Sequence, residues 1–222
     1  KYVQGQHFSS CFIANHEVHY IGTTHQLLGA TPYASVEPTD FNYAGSIGPV
    51  EIDVQVRKKI SRWAKQIAAE FQIKGCFGID WLLDPAGQPW LIEVNPRITS
   101  SCEVLELSGV LDSFVASHIA AFTGAEIINQ HSYKNGCVGK LIVYSKKPDG
   151  FSVSRDFQMK LRNQWERRLD ASAWCSDIPN LKVSILPGQP VTTILARAEN
   201  LQRLTQCMIE SAKAIKKMME PL

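Results

Sequence analysis

Two acids interrupt apolar stretches between residues 78 and 97, in Gly78-Ile79-Asp80-Trp81-Leu82-Leu83 and in Trp90-Leu91-Ile92-Glu93-Val94-Asn95-Pro96-Arg97. A carboxylate among such neighbours needs a cation or several donors, because removing it from water unpaired is costly. Glu93, Asn95 and Arg97 are spaced two apart, so in a strand they project from one face while Ile92 and Val94 enter the other. The result is an acid, an amide and a guanidinium in a row. Magnesium wants hard oxygen ligands and takes one or two carboxylates, with phosphate oxygens and water completing an octahedral shell. Asp80, Glu93 and the carbonyl oxygen of Asn95 are the candidate ligands. Arg97, with its planar fork, is the candidate phosphate grip. A surface hairpin with a merely wet polar face would use the same residue types, and composition alone leaves both readings open.

The elements that must position these groups are two strands, Cys76 to Leu83 and Trp90 to Asn95, joined by Asp84-Pro85-Ala86-Gly87, each residue in its favoured place for a type I turn. With Asp84 paired directly to Gly87, Asp80 faces Leu91 and shares its side with Glu93 diagonally, at roughly 7–8 Å. A glycine bulge in the turn would move the register by one and separate the faces. Spacing leaves that choice open.

Upstream, residues 8 to 22 read as a hairpin turning at Asn15-His16. Residues 29 to 50, rich in Gly, Pro, Ser and Thr, read as a long loop of the kind that is more often functional than idle. Val56, Ile60, Trp63, Ala64, Ile67, Ala68 and Phe71 give a helix with one apolar face, stopped by Lys74-Gly75. Leu111, Phe114, Val115, His118, Ile119 and Phe122 mark another, closed by Gly124. His118, on that apolar face, is expected to be packed and hydrogen-bonded rather than a ligand. A polar link over 125 to 136 precedes a strand from Gly139 to Ser145, an unassigned middle section, a strand from Val191 to Ala196 and a final helix. The stripe of that helix is Leu201, Leu204, Met208, Ala212, Ile215 and Met219, and Lys213, Lys216 and Lys217 suit its negative end.

The 222 residues carry a net charge of +2, with 45% hydrophobic and 20% charged residues, which gives no reason to expect a nucleic-acid partner or an anionic membrane surface. No apolar run approaches a spanning helix and the first residues lack secretory character, so cytoplasm is the default location. Six cysteines scattered singly read as reduced thiols, mostly small core residues. His16 and His19 have a spacing that metal ligands can use, but they lie in a turn with no third ligand near.

Gly78-Ile79-Asp80 followed by Leu91-Ile92-Glu93-Val94-Asn95-Pro96-Arg97, with thirteen residues from aspartate to glutamate, resembles the magnesium-binding signature of the ATP-grasp superfamily. Lys1-Tyr2-Val3-Gln4-Gly5-Gln6-His7 looks like the hinge of that superfamily. The resemblance implies that Tyr2 and Val3 line the adenine of ATP, that His7 stands at the ribose-binding position, where many members have glutamate, and that Gln26 lies near the nucleotide. It covers residues 1 to about 124. It implies an α+β fold, an antiparallel sheet with flanking helices over 1–124, followed by a small α/β segment over 125–222.

The activity it implies is that of a carboxylate–amine ligase using ATP and magnesium, with manganese as a substitute. ATP phosphorylates a small carboxylate, an amine displaces phosphate from the acylphosphate, and Arg97 serves catalysis at the transferred group. The nearest rival is a biotin-carboxylase-like enzyme, but the glutamate base of that family would fall at Ser101, and Glu103 comes two residues too late. A nucleotide-binding module without turnover is the alternative of another class. The general run of the chain is similar to the group containing the tyramine–glutamate ligase of methanofuran biosynthesis, although no residue fixes that substrate. Members of the superfamily also carry a glycine-rich cover on a lobe preceding the hinge. The expectation is therefore that this chain starts within the hinge, is inactive alone, and can pair its edge near Tyr2 with that lobe or with a second copy as a homodimer.

Overall fold

A computed structural model describes residues 2–29, 41–125, 136–166 and 172–219. They fall into two compact units, Lys1–Gln26 with Ile47–Asn135, and Leu27–Ser46 with Gly136–Leu222. Where the sequence suggested one boundary near residue 124, the second unit also takes up the segment from Leu27. None of the helices among the described residues is long and apolar enough to cross a membrane.

The first unit is built on β1 (Gln6–Ala14), β2 (Val18–Leu28), β4 (Gly75–Leu83) and β5 (Pro89–Asn95), in the order β5-β4-β1-β2 and antiparallel throughout. Alternation along the strands divides their side chains between two cores. Phe8, Phe12, Phe77, Ile79 and Trp81 pack with Ile60, Ala64 and Ala68 of α1 (Val54–Glu70). Cys11, Ile13 and Cys76 pack with residues of α2 (Ser100–Leu107) and α3 (Phe114–Thr123). The Asp53 side chain caps α1 by accepting from the Gln55 and Val56 amides, and Gly124 ends α3 in the left-handed conformation. His118 accepts a hydrogen bond from the Cys76 amide at 3.0 Å, the packed role expected of it. The short helix α2 went unread because eight residues carry little periodicity and its start at Thr99 has no side-chain cap.

In the second unit the strand order is β3 (Tyr43–Gly48), β6 (Cys137–Tyr144), β10 (Pro190–Ala198), β8 (Ala173–Ser176), and α5 (Leu201–Met219) buries Leu204, Met208, Ala212 and Ile215. Leu201, expected in that stripe, is exposed. A separate pair, β7 (Phe151–Ser152) with β9 (Ser184–Ile185), and α4 (Arg155–Glu166) fill the section left unassigned. The expected loop over 29 to 50 is corrected by β3; residues 30–40 lie outside the described residues, as does most of the link over 125 to 136. Small residues that resemble a loop serve close approach here, since a Cβ on Gly45 would stand 1.9 Å from the Lys140 carbonyl oxygen.

Behind the central strands of the first unit runs a chain of hydrogen bonds, buried except at its Tyr20 end. Trp81 Nε1 donates to Ser10 Oγ at 2.9 Å, Ser10 Oγ meets Thr23 Oγ1 at 2.7 Å, and Tyr20 Oη meets Thr23 Oγ1 at 2.8 Å. It spans β4, β1 and β2 at one level and so opposes slippage of any of them. Replacing Ser10 by Ala leaves the fully buried Trp81 N–H without its acceptor, and we expect a loss of roughly 1–3 kcal/mol in urea unfolding. An unchanged midpoint would mean that the network does not hold the strands.

Candidate functional site

Asp80 stands directly opposite Glu93, and Gly78 opposite Asn95. Two departures from simple pairing produce this register. At the turn, Gly87 adopts φ 77° and the Asp84 amide donates to the Gln88 carbonyl at 3.1 Å, while Gly87 N–H donates to the Asp84 carbonyl at 2.9 Å. That is a type I turn with a glycine bulge, which alone would have put Asp80 opposite Ile92 and split the acids. A second irregularity follows, since Trp81 pairs with Leu91 but Asp80 with Glu93, leaving Ile92 as an extra residue on β5. The two shifts restore a shared face and bring the acids closer than the diagonal arrangement would.

The same face carries more. In β1 and β2, Ser9 lies across from both Asp80 and Thr24, so His7 and Gln26, two residues on along their strands, point to that side as well. The structure thus gathers His7, Gln26, Asp80, Glu93 and Asn95 on one sheet face. Arg97 follows in the bend after β5, its guanidinium donating to Asn95 Oδ1 and to the Ile98 carbonyl, both at 3.3 Å. Tyr2 and Val3 precede β1 outside any strand, Tyr2 exposed and Val3 half-buried. Ser9 and Thr24 were not singled out from the sequence, and Ser101 was noted only as the position of a carboxylase-type base. They line the floor of this face, where Thr24 Oγ1 donates to Ser101 Oγ at 2.9 Å. Their signal is weak, because buried small hydroxyls look like ordinary strand and helix residues.

The two acids differ in environment. Glu93 lies exposed on β5, which corrects the expectation that both carboxylates are buried, whereas Asp80 is partly buried on the interior strand β4. Burial pushes the Asp80 carboxyl above the usual aspartate range and the Glu93 charge adds to the push, while Ser9 and Gln26 act against it. Asn95 Nδ2 donates to Glu93 Oε1 at 2.9 Å and to Asp80 Oδ2 at 3.4 Å, so a neutral amide donor already bridges the acids. Asp80 Oδ1 and Ser9 Oγ are nonetheless buried with no hydrogen bond of ordinary geometry among the described residues. An orphaned carboxylate oxygen beside a second carboxylate and an amide is a donor set that fits a hard divalent cation. Burial lowers the pKa of His7, and that of His25 with His7 contributing. His19 Nε2 meets Asn15 Oδ1 at 3.2 Å, and no cluster of three or more His, Cys, Asp or Glu suited to a metal exists among the described residues.

Comparison with known proteins bears on this face. Residues 1–101 match a family described as the ATP-grasp domain. An uncharacterized protein of Methanocaldococcus jannaschii is 24% identical over 226 residues, covering 99% of this chain and 47% of that one. Among solved structures, the N5-carboxyaminoimidazole synthase of Aspergillus clavatus, in complex with ADP and 5-aminoimidazole ribonucleotide, is similar with a TM-score of 0.70 at 16% identity, over 99% of this chain and 53% of that one. A Campylobacter jejuni biotin carboxylase gives 0.64 at 14% identity, over 96% of this chain and 50% of that one. The fold is that of the two solved enzymes, and the chain spans about half the length of each of these three proteins.

Because the Asp80 pKa is raised in the folded chain, the unfolded chain ionises first as pH rises, and stability is lost from the ordinary aspartate range upward. Replacing Asp80 by Asn should therefore raise the thermal midpoint at neutral pH in metal-free buffer, with the gain vanishing as pH falls below that range. A lowered midpoint at neutral pH would contradict this account of the carboxylate.

Proposed function

Because residues 1–101 belong to the ATP-grasp superfamily, we propose that the protein is an ATP- and magnesium-dependent carboxylate–amine ligase. The observation that carries the reading is the direct opposition of Asp80 and Glu93, with Asn95 between them and one Asp80 oxygen unpartnered. Asp80, Glu93 and the Asn95 side-chain oxygen would hold the metal, which when bound offsets charge on the phosphates of ATP. Tyr2 and Val3 line the adenine, His7 meets the ribose, and Gln26 stands near the nucleotide.

The carboxylate of a small substrate attacks the terminal phosphorus of ATP and ADP departs. An amine then attacks the acyl carbon and phosphate departs, leaving an amide. Arg97 would serve the transferred phosphoryl group, a reading supported by its guanidinium lying against Asn95 with no carboxylate partner among the described residues. Such catalysis rests on positioning and electrostatics. Ser101 supports ligation over carboxylation, because the position where a carboxylase-like base would fall holds a buried hydroxyl bonded to Thr24.

Magnesium-dependent ATP binding, followed by calorimetry with and without the metal, tests the site, and Glu93→Gln should abolish the dependence. Unchanged magnesium dependence in that variant would remove Glu93 from the ligand set. On the native protein from its source, ATP consumption with panels of amino acids and amines tests the reaction. Arg97→Lys, which keeps the charge but loses the bidentate fork, should lower turnover at least tenfold, about 1.4 kcal/mol of barrier, with nearly normal ATP affinity. Equal loss of both, or of neither, would count against its role in the chemical step.

A further inference from the structure

Cys11 on β1 and Cys102 in the first turn of α2 are ninety-one residues apart in sequence, yet their sulfurs share a hydrogen bond at 3.5 Å. Both side chains are buried. A disulfide brings two sulfurs to about 2.05 Å, so the pair lies one short side-chain movement from a bond. Thr99 Oγ1 lies against both, 3.7 Å from Cys11 Sγ and 3.6 Å from Cys102 Sγ. From this geometry we propose that Cys11 and Cys102 form an oxidisable pair that a peroxide converts to an intramolecular disulfide, fastening the start of α2 to β1.

The surroundings give the pair a direction. Hydrogen bonding from Cys11 holds the Cys102 thiol below the usual range, and hydrogen bonding with Cys102, together with burial, pushes Cys11 well above it. Cys102 is therefore the first to carry a thiolate, the nucleophilic form. Cys76, in the same core, does not compete. Its thiol donates to the Phe114 carbonyl at 3.4 Å, and burial pushes it up to about 12.

In the reaction, the Cys102 thiolate attacks one peroxide oxygen, the O–O bond breaks, and the second oxygen leaves as hydroxide, which takes up a proton. Cys11 sulfur then attacks the resulting sulfenic sulfur. An S–S bond forms, the S–O bond breaks, and the oxygen leaves as water with the Cys11 proton. Two thiols and one hydrogen peroxide give one disulfide and two waters. The two electrons lost by sulfur reduce the peroxide. Burial favours a small neutral oxidant of this class over a bulky disulfide. Closing the bond would also fix Thr99, whose methyl group fills the space a Cβ on Gly78 would need. Gly78 is the residue opposite Asn95. The assignment rests on sulfur geometry and stands apart from the ligase reading.

The test is hydrogen peroxide treatment of the wild-type chain and of a variant carrying Cys137→Ser and Cys207→Ser, the two cysteines that are not fully buried. Alkylation after unfolding, followed by non-reducing peptide mapping, reads the outcome. The expected result in both proteins is one cross-linked peptide pair joining Cys11 to Cys102, with a mass lower by two hydrogens and reversal by dithiothreitol. In Cys11→Ser, Cys102 should instead gain oxygen. Both thiols remaining alkylatable, or oxygen added at Cys102 of the wild type without a link, would overturn the proposal. The wild-type map keeps the answer independent of how well either variant folds.

Discussion

Two carboxylates directly opposite one another on neighbouring antiparallel strands repel, and this sheet is organised around holding them there. Left to themselves, like charges at that separation favour a slip of register or a turn of one side chain into water. Glu93 is at the exposed strand and can relax; Asp80 cannot, because β4 is paired on both sides and Trp81 and Ile79 are fixed in the core beside it. The Asn95 amide lies between the two acids and softens the repulsion. The hydroxyl chain through Ser10 and Thr23 secures the strands from behind. Repulsion that remains after these measures is a stored preference for positive charge. Sites that bind metal commonly carry such a cost in the free protein.

The sheet divides its two faces by task. One face is filled with aromatic and aliphatic side chains against α1, where Phe8 stacks on Trp81 and Phe12 on Phe77. The other is apolar only over its far half, under α2 and α3, and toward the start of β1 it changes to hydroxyls, amides and acids. That change happens within a single strand, between Cys11 and Ser9. Chemistry and packing are thereby only two residues apart, and the rigidity of one is transmitted to the other through the backbone.

Much of this was legible in the sequence where the signal was local. The long helices, the hairpin and the turn beginning at Asp84 follow from periodicity and turn chemistry, and the shared face of Glu93 and Asn95 from a spacing of two, whereas Arg97, expected in the same row, lies in the bend after β5. The helix-closing Gly124 and the packed role of His118 were likewise readable from their neighbours. What escaped has a common physical cause: it depends on partners far away in the chain. Tyr43–Gly48 looks like a loop until β6 is seen to need small residues for close approach, and α2 is too short to show a period. Ser9, Thr24 and Ser101 acquire meaning only once three separate segments converge. The expectation of two buried acids failed because nothing in the residues of β5 marks it as exposed, and its Trp, Leu and Ile read as core.

The pair of irregularities between Asp80 and Glu93 has a consequence for how such hairpins can vary. Each extra residue, at Gly87 or at Ile92, turns every later side chain of β5 to the other face, and two of them turn it back. The faces therefore obey parity: with no extra residue or with two, the acids share a side, and with one they cannot. The number of extra residues sets how far apart the acids lie, and its evenness decides whether they meet at all. A related chain could lose both irregularities and keep a working, if wider, pair of acids, but losing either one alone would cancel the site while leaving every one of its residues in the sequence.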